Sequence, residues 1–148
     1  MSRYSSLCLA LFMGSALYPK VDTLISTEEK FVQTQIGTKT YQLEISNTEA
    51  RRYRGLSYRE SMDRDKGMLF VFPHPGSYQF CMREMRMPLD FVWVNRETVV
   101  DLIENVPPPS VKDAGNFTAV DLADKVIELN VGEVKASGVK IGDKLKFF

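Results

Sequence analysis

GMLFVF, residues 67–72, is apolar at every position. A strand that is apolar on both faces has to be covered on both, by the interior of a curled sheet on one side and by a helix or loop on the other. Pro73-His74-Pro75-Gly76 follows directly, and because proline cannot donate to a sheet ladder, the strand is expected to end there. We therefore expect residues 67–72 to form a central strand of a barrel-like sheet.

Further strand patterns flank this run, and turn residues separate them. They cover Phe31 to Ile36, Thr40 to Ile45, Ser77 to Met82, Leu89 to Val94, Thr98 to Val106, Lys125 to Asn130 and Lys144 to Phe148. Ser46-Asn47-Thr48-Glu49 matches a capping box for a helix that ends near Arg54, before Gly55. A second short helical segment is expected from Gly132 to Ser137. The sequence thus predicts a mainly β fold, a compact antiparallel β-barrel-like domain with one or two short helices.

Length and charge narrow the classes of protein that fit this chain. Its 148 residues suit one domain, with a core large enough to need neither a disulfide nor a metal ion. The 19 basic side chains balance the 19 acidic ones, so the chain lacks the positive field that draws proteins to nucleic acid. Binding to nucleic acid is therefore not expected.

The first residues have the layout of a secretory signal peptide. In residues 1–16, Arg3 precedes the apolar run from Leu7 to Met13, and Gly14-Ser15-Ala16 offers small residues for cleavage. The run is too short to cross a bilayer as a helix, so no stable membrane span is expected after cleavage. Residues 17–30 then form a flexible lead, and residues 31–148 form the domain. We expect an exported protein, periplasmic or extracellular. Alternatively, residues 1–16 stay uncleaved as an anchor, or they form the first buried element of the domain.

Several motifs in a fixed order resemble one family. They are Arg54-Gly55-Leu56, Gly67 to Phe72, Phe80-Cys81-Met82-Arg83, Met87-Pro88-Leu89-Asp90, Val126 to Asn130 with Gly132, and Gly142-Asp143. Together they resemble the domain of unknown function 192, an uncharacterised family, over roughly Val32 to Lys146. The resemblance implies a small β-barrel-like domain, often exported in bacteria and archaea, and it implies no reaction.

This chain departs from the family pattern at three places. Cys81 stands where the family usually has tryptophan, Glu84-Met85 where it has an Asn-Thr pair, and Ser57 where it has methionine. A ligand contact that the family makes through those side chains would be altered here.

The sequence contains no clear pattern for a metal site or a cofactor site. His74 is the only histidine, and its distance from Cys81 matches no metal-ligand spacing. No glycine-rich loop is present that could cradle a phosphate, so no cofactor is expected. Cleavage after Ala16 would remove Cys8 and leave Cys81 alone, between Phe80 and Met82. We expect an inert buried thiol there, although a Cys81–His74 dyad stays open on sequence separation.

Five residues form the candidate ligand site: Arg54, Met82, Arg83, Asp90 and Glu128. Asp90 begins a strongly apolar strand and Glu128 interrupts another, so both carboxylates are expected to be partly desolvated and to need donors. Arg54 closes the first helix, Arg83 follows the apolar segment from Phe80 to Met82, and a guanidinium supplies a forked donor. Met82 could line an adaptable pocket.

A structural interpretation competes with this site. Asp90 could cap the turn before its strand, and Glu128 could face solvent with Ile127 and Leu129 turned inward. Alternatively, Arg54 could pair with one of the two acids and hold the first helix on the barrel.

The sequence leaves the function open between two main hypotheses. The first is a binding or accessory module of the cell envelope that holds a small molecule or peptide between the Pro107–Gly115 loop and the Met82–Asp90 connection. The second is a hydrolase- or lyase-type enzyme in which Asp90 and Glu128 act as acid and base while Arg54 or Arg83 binds an anion. A purely structural interaction domain is a third reading, and the sequence does not decide whether the protein is an enzyme.

Overall fold

The computed structural model describes residues 30–109 and 115–148, which form seven strands and two short helices. The signal segment, most of the flexible lead and part of the proline-rich loop lie outside the described residues. The elements are β1 (Phe31–Ile36), β2 (Lys39–Ser46), α1 (Glu49–Arg54), β3 (Lys66–Gly76), β4 (Leu89–Asn95), β5 (Thr98–Val106), β6 (Ala123–Asn130), α2 (Glu133–Ser137) and β7 (Lys146–Phe147). No helix in these two described ranges is long and apolar enough to cross a membrane.

The strands form one curled sheet in the order β5-β4-β6-β3-β2-β1-β7. Its two outer strands approach each other where Thr98 and Lys144 form an isolated antiparallel bridge. The prediction of a mainly β, barrel-like domain with two short helices is confirmed. One pair departs from the antiparallel pattern, because β2 and β3 run parallel and the connection through α1 returns the chain to the same end of the sheet.

The apolar run at residues 67–72 is a central strand, as the sequence predicts. It lies in β3, between β2 and β6, with Leu69 on one face and Phe70 on the other, both buried. The strand continues to Gly76, beyond the predicted stop at the prolines, after a register shift against β6. The shift lets Pro73 and Pro75 lie in the strand without interrupting a regular ladder.

Both faces of the sheet are covered by apolar side chains. The inner core receives residues from all seven strands and from α2, among them Leu43, Leu69, Val92, Ile127 and Leu129. The outer core covers β3, β4 and β6 and includes Met68, Phe70, Phe80, Phe91 and Trp93. The chain segments that close the outer face, α1 and the loops after β3, position the site described below.

Two local predictions are wrong because of how the segments pair with neighbouring strands. Residues 77–82 form no regular strand; Phe80 makes one isolated bridge, in which its amide and carbonyl each bond to Phe117 at 2.8 Å. Ser46 does not cap α1, because it ends β2 opposite Phe70. Thr48 is the N-cap instead, and its hydroxyl accepts a hydrogen bond from the Arg51 amide at 3.3 Å.

Candidate ligand cavity beneath helix α1

The strand register places one row of residues across the outer face of the sheet. Glu44 pairs with Met68, Met68 with Glu128, and Glu128 with Phe91. Directly paired residues face the same side of a sheet, so these four side chains line up on one face. Glu128 therefore points toward the outer core, between a methionine and a phenylalanine.

Helix α1 lies over this face because Arg52 attaches it to β3. One guanidinium nitrogen of Arg52 donates to the Val71 carbonyl and to the Asn47 carbonyl, both at 2.8 Å. The same guanidinium lies 5.1 Å from the centre of the Phe72 ring, a cation–π distance. The helix ends at Gly55, whose positive φ of 49° favours glycine, and a side chain there would press on the Phe70 ring.

A cavity of about 980 Å³ lies between α1, β3 and the segment after β3. Its apolar wall consists of Tyr53, Leu56, Phe70, Phe72, Tyr78, Phe80 and Met85. The rings are held by contacts with one another: Phe72 stacks on Tyr78 at 3.6 Å, and Phe80 meets Phe70 edge to face at 5.0 Å. A volume of this size suits a small organic ligand.

Glu128 also lines this cavity and is its most unusual group. Its residue is only 5% exposed, and its Oε2 atom has no hydrogen-bond partner within residues 30–109 and 115–148. Burial raises the pKa of Glu128 to about 8, although the nearby positive charge of Arg59 acts in the opposite direction. The carboxyl group is thus largely protonated at neutral pH and can donate a hydrogen bond.

The structure brings three of the five predicted site residues together. Arg54, Arg83 and Glu128 all line the cavity. Arg54 is exposed at the end of α1, whereas Arg83 is half-buried, with its guanidinium 5.0 Å from the centre of the Tyr53 ring. The solvent-facing interpretation of Glu128 is wrong, because the outer core covers the face on which its side chain lies.

The other two predicted residues lie away from the cavity. Met82 is 1% exposed and belongs to the outer core, while Met85 lines the cavity. Asp90 pairs with Leu129, so it faces the opposite side of the sheet from Glu128. Its two carboxylate oxygens accept from the amides of Asn105, at 2.9 Å, and Val134, at 3.0 Å. Asp90 and Glu128 therefore do not form the proposed pair of general acid and base.

Several residues of the cavity were not indicated by the sequence. Cys81 was expected to be buried in a strand, but it is half-buried, outside any regular strand, and lines the cavity. The expected ligand entrance at the Pro107–Gly115 loop is displaced, since neither Pro107–Pro109 nor Gly115 lines the cavity. Residues 110–114 of that loop lie outside the described part of the chain. Only tertiary packing brings α1 and residues 78–85 to the same face.

The fold and the cavity define a small β-barrel-like domain with a ligand-sized, aromatic-walled cavity under a short crossover helix. The chain belongs to the DUF192 family, described as "Uncharacterized ACR", whose model matches residues 31–147. No curated protein matches the chain.

Two solved structures are similar to this chain. One is a proposed transcription regulator from Sinorhizobium meliloti, with 30% identity, coverage of 79% of this chain and 93% of that one, and a TM-score of 0.71. The other is a protein of unknown function from Novosphingobium aromaticivorans, with 26% identity, coverage of 88% and 94%, and a TM-score of 0.71.

Proposed function

We propose that this domain binds a small organic ligand in the cavity beneath α1, as an exported binding or accessory module of the cell envelope. The observation that carries the proposal is the Glu128 carboxyl group, buried in an aromatic-walled cavity with an unpartnered oxygen. A buried polar group without a partner lowers stability, and a bound ligand that accepts its hydrogen bond removes that cost. The export part of the proposal is supported by the signal-like pattern of residues 1–16.

The lining residues suggest the chemistry of the ligand. Phe72 and Tyr78 offer stacked ring surface for an apolar or aromatic body. Protonated Glu128 donates to an acceptor such as a carbonyl oxygen. Arg54 and Arg83 at the rim favour a ligand that carries an anionic group.

Binding is favoured over the hydrolase or lyase hypothesis by the position of Asp90. That hypothesis needs two carboxyl groups near one substrate. Asp90 lies on the opposite face of the sheet, and both of its oxygens already accept backbone hydrogen bonds. The pair of Asp90 and Glu128 on which that hypothesis rests is therefore not formed.

The balance of charge also does not favour nucleic acid as the partner. The solved relative from Sinorhizobium meliloti is described as a proposed transcription regulator, and that description concerns that protein. In this chain basic and acidic side chains are equal in number, 19 of each. A cavity of about 980 Å³ fits a small molecule better than a polymer.

A matched pair of probes tests the role of Glu128. At pH 6, 2-acetylnaphthalene and 2-ethylnaphthalene are titrated into the protein by ligand-observed NMR; the two have similar shapes, but only the first carries an acceptor. The wild type is expected to bind the acetyl compound about fivefold to tenfold more tightly, the value of one hydrogen bond. In Glu128→Leu this preference is expected to disappear.

Two tryptophan variants locate the binding. Ala50 is exposed on α1 and lines the cavity, whereas Ala136 is exposed on α2 and does not. Ala50→Trp should weaken binding of both naphthalenes, and Ala136→Trp should leave it unchanged. Equal affinity for the two compounds in the wild type, or unchanged binding in Ala50→Trp, would contradict the proposal.

A further inference from the structure

A second, smaller cavity adjoins the first at the end of α1. Its volume is about 320 Å³. Its polar lining consists of Glu44, Ser46, Arg51, Arg54 and Arg59. Arg54 and Gly55 line both cavities, so the two are neighbours at this end of the helix. We call this space the arginine pocket.

The arginine pocket carries an excess of positive charge. Arg59 is paired with Glu44, whose Oε2 lies 2.7 Å from a guanidinium nitrogen of Arg59. The guanidinium groups of Arg51 and Arg54 have no ion-pair partner within the two described ranges. Three arginines and one glutamate leave a formal surplus of two positive charges.

A buried hydroxyl group faces the same pocket. Ser46 is 1% exposed, and its Oγ atom has no hydrogen-bond partner within residues 30–109 and 115–148. Alternation along β2 turns Ser46 to the same face as Glu44, while Ile45 between them belongs to the inner core. Ser46 thus lines the pocket with a hydroxyl that has no partner in the described residues, and an unpartnered buried hydroxyl is rare in folded proteins.

We propose that the arginine pocket binds the phosphate group of a phosphomonoester whose apolar body lies in the cavity beneath α1. A phosphomonoester carries a charge of about −1.5 to −2 near neutral pH, which matches the surplus in the pocket. Guanidinium groups bind phosphate oxygens through two parallel hydrogen bonds, and the Ser46 hydroxyl supplies a further donor. The place of the apolar body rests on the proposed function, whereas phosphate binding can be measured without it.

Inorganic phosphate is the first probe, titrated at pH 7.5 and followed by isothermal calorimetry. Arg51→Gln combined with Arg54→Gln should weaken phosphate binding about tenfold or more, because it removes the two unpaired guanidinium groups. The matched control, Lys135→Gln with Lys140→Gln, removes the same charge from exposed positions outside the pocket and should change affinity less than about twofold. Ser46→Ala should weaken binding about threefold to tenfold, since it removes one donor.

1-Naphthyl phosphate is the second probe, and it separates this inference from the proposed function. It should bind more tightly than inorganic phosphate to the wild type, and Ala50→Trp should abolish that gain while leaving affinity for inorganic phosphate unchanged. Phosphate binding without a naphthyl gain would contradict the apolar cavity and support the arginine pocket alone.

Three results would overturn the arginine pocket as a phosphate site. One is equal weakening by the arginine and lysine pairs, which would show that only overall charge matters. Another is that acetate binds as tightly as phosphate. The third is that a short DNA duplex binds the protein more tightly than phosphate at 150 mM salt and displaces phosphate from it. Thermal unfolding of each variant confirms that the protein under test is folded.

Discussion

Glu128 has an acidic side chain at a position where the strand pattern calls for an apolar one. Its neighbours in the paired row are Met68 and Phe91, and its own strand is buried from Ala123 to Leu129. A carboxyl group held in apolar surroundings favours its neutral form, which is why the pKa of Glu128 rises from 4.5 to about 8. Its protonation and the stability of the fold are therefore linked.

This linkage predicts how stability changes with pH. Below pH 4.5 the carboxyl of Glu128 is protonated in both the folded and unfolded chains, and above about pH 8 it is ionised in both. In between, only the unfolded chain releases the proton, so the free energy of unfolding should fall as pH rises through this window. From pH 5 to pH 9 the free energy of unfolding of the wild type should fall by on the order of 3 kcal/mol relative to that of Glu128→Gln, as measured by urea unfolding.

The control for this experiment is Glu104→Gln, which removes the charge of an exposed carboxylate on β5. Its unfolding curves should keep the pH dependence of the wild type. Another buried acid, Glu133, titrates in a different range, because burial raises its pKa but hydrogen bonds from Lys39, Tyr41 and Arg64 outweigh this and lower it to about 2. Parallel pH profiles for the wild type and Glu128→Gln would show that the Glu128 carboxyl ionises normally.

Helix α2 depends on a residue from another element for its N-terminal cap. Its N-cap position is Gly132, which offers no side chain, and the Val134 amide instead donates to Asp90 on β4. The other oxygen of Asp90 accepts from Asn105 on β5, where φ is positive at 59°. One carboxylate thus joins β4, β5 and α2.

Removal of this carboxylate should loosen all three elements together. Asp90→Ala is expected to lower the free energy of unfolding by about 2–4 kcal/mol, because it leaves the buried Val134 amide and the part-buried Asn105 amide without their acceptors. The Val134 and Asn105 amides should exchange hydrogen faster in this variant. The free energy of unfolding should fall less in Asp90→Asn, which keeps one acceptor oxygen. It should stay almost unchanged in Asp121→Ala, which removes an exposed aspartate. Normal exchange at Val134 in Asp90→Ala would contradict this role.

The molecule as a whole is organised by the connection between β2 and β3. Because these strands are parallel, the chain has to cross one face of the sheet between them, and α1 lies on that crossing. This crossing leaves space above the sheet: the cavity beneath α1 lies above β3 and β6, and the arginine pocket lies above β2 and β3. The proposed site therefore follows from topology rather than from any one motif.

Deletion of residues 1–29 tests the division of the chain into an export signal and a domain. The seven strands and the two cores that the structure describes are built from residues 31–148. The chain that begins at Lys30 should unfold cooperatively with the same free energy as the cleaved full-length protein, but it should stay inside a bacterial host instead of reaching the periplasm. Cell fractionation and urea unfolding measure the two outcomes. A large loss of stability would place part of residues 1–29 in the folded domain, and unchanged export would rule out a signal there.

Local patterns predicted much of the architecture and part of the site. The doubly apolar run at residues 67–72 indicated a central covered strand, and the flanking strands were placed within a few residues, except for residues 77–82, which form no regular strand. Glu128 was selected because a carboxylate in an apolar strand needs a donor, and Arg54 and Arg83 because a guanidinium can supply one. The structure brings all three to one cavity. Asp90 satisfied the same criterion, yet its partners are backbone amides distant in sequence.

The alternation of apolar residues is a local property, so the chain by itself determined that it forms a β sheet with two covered faces. Which residues meet across that sheet depends on register and on the path of each connection, and these are set by long-range pairing. Tertiary structure alone decided that β2 and β3 run parallel, that Asp90 and Glu128 face opposite sides, and that Ser46 lies beside three arginines. A shift of one residue in a strand exchanges its faces, and no short stretch of sequence reveals that choice.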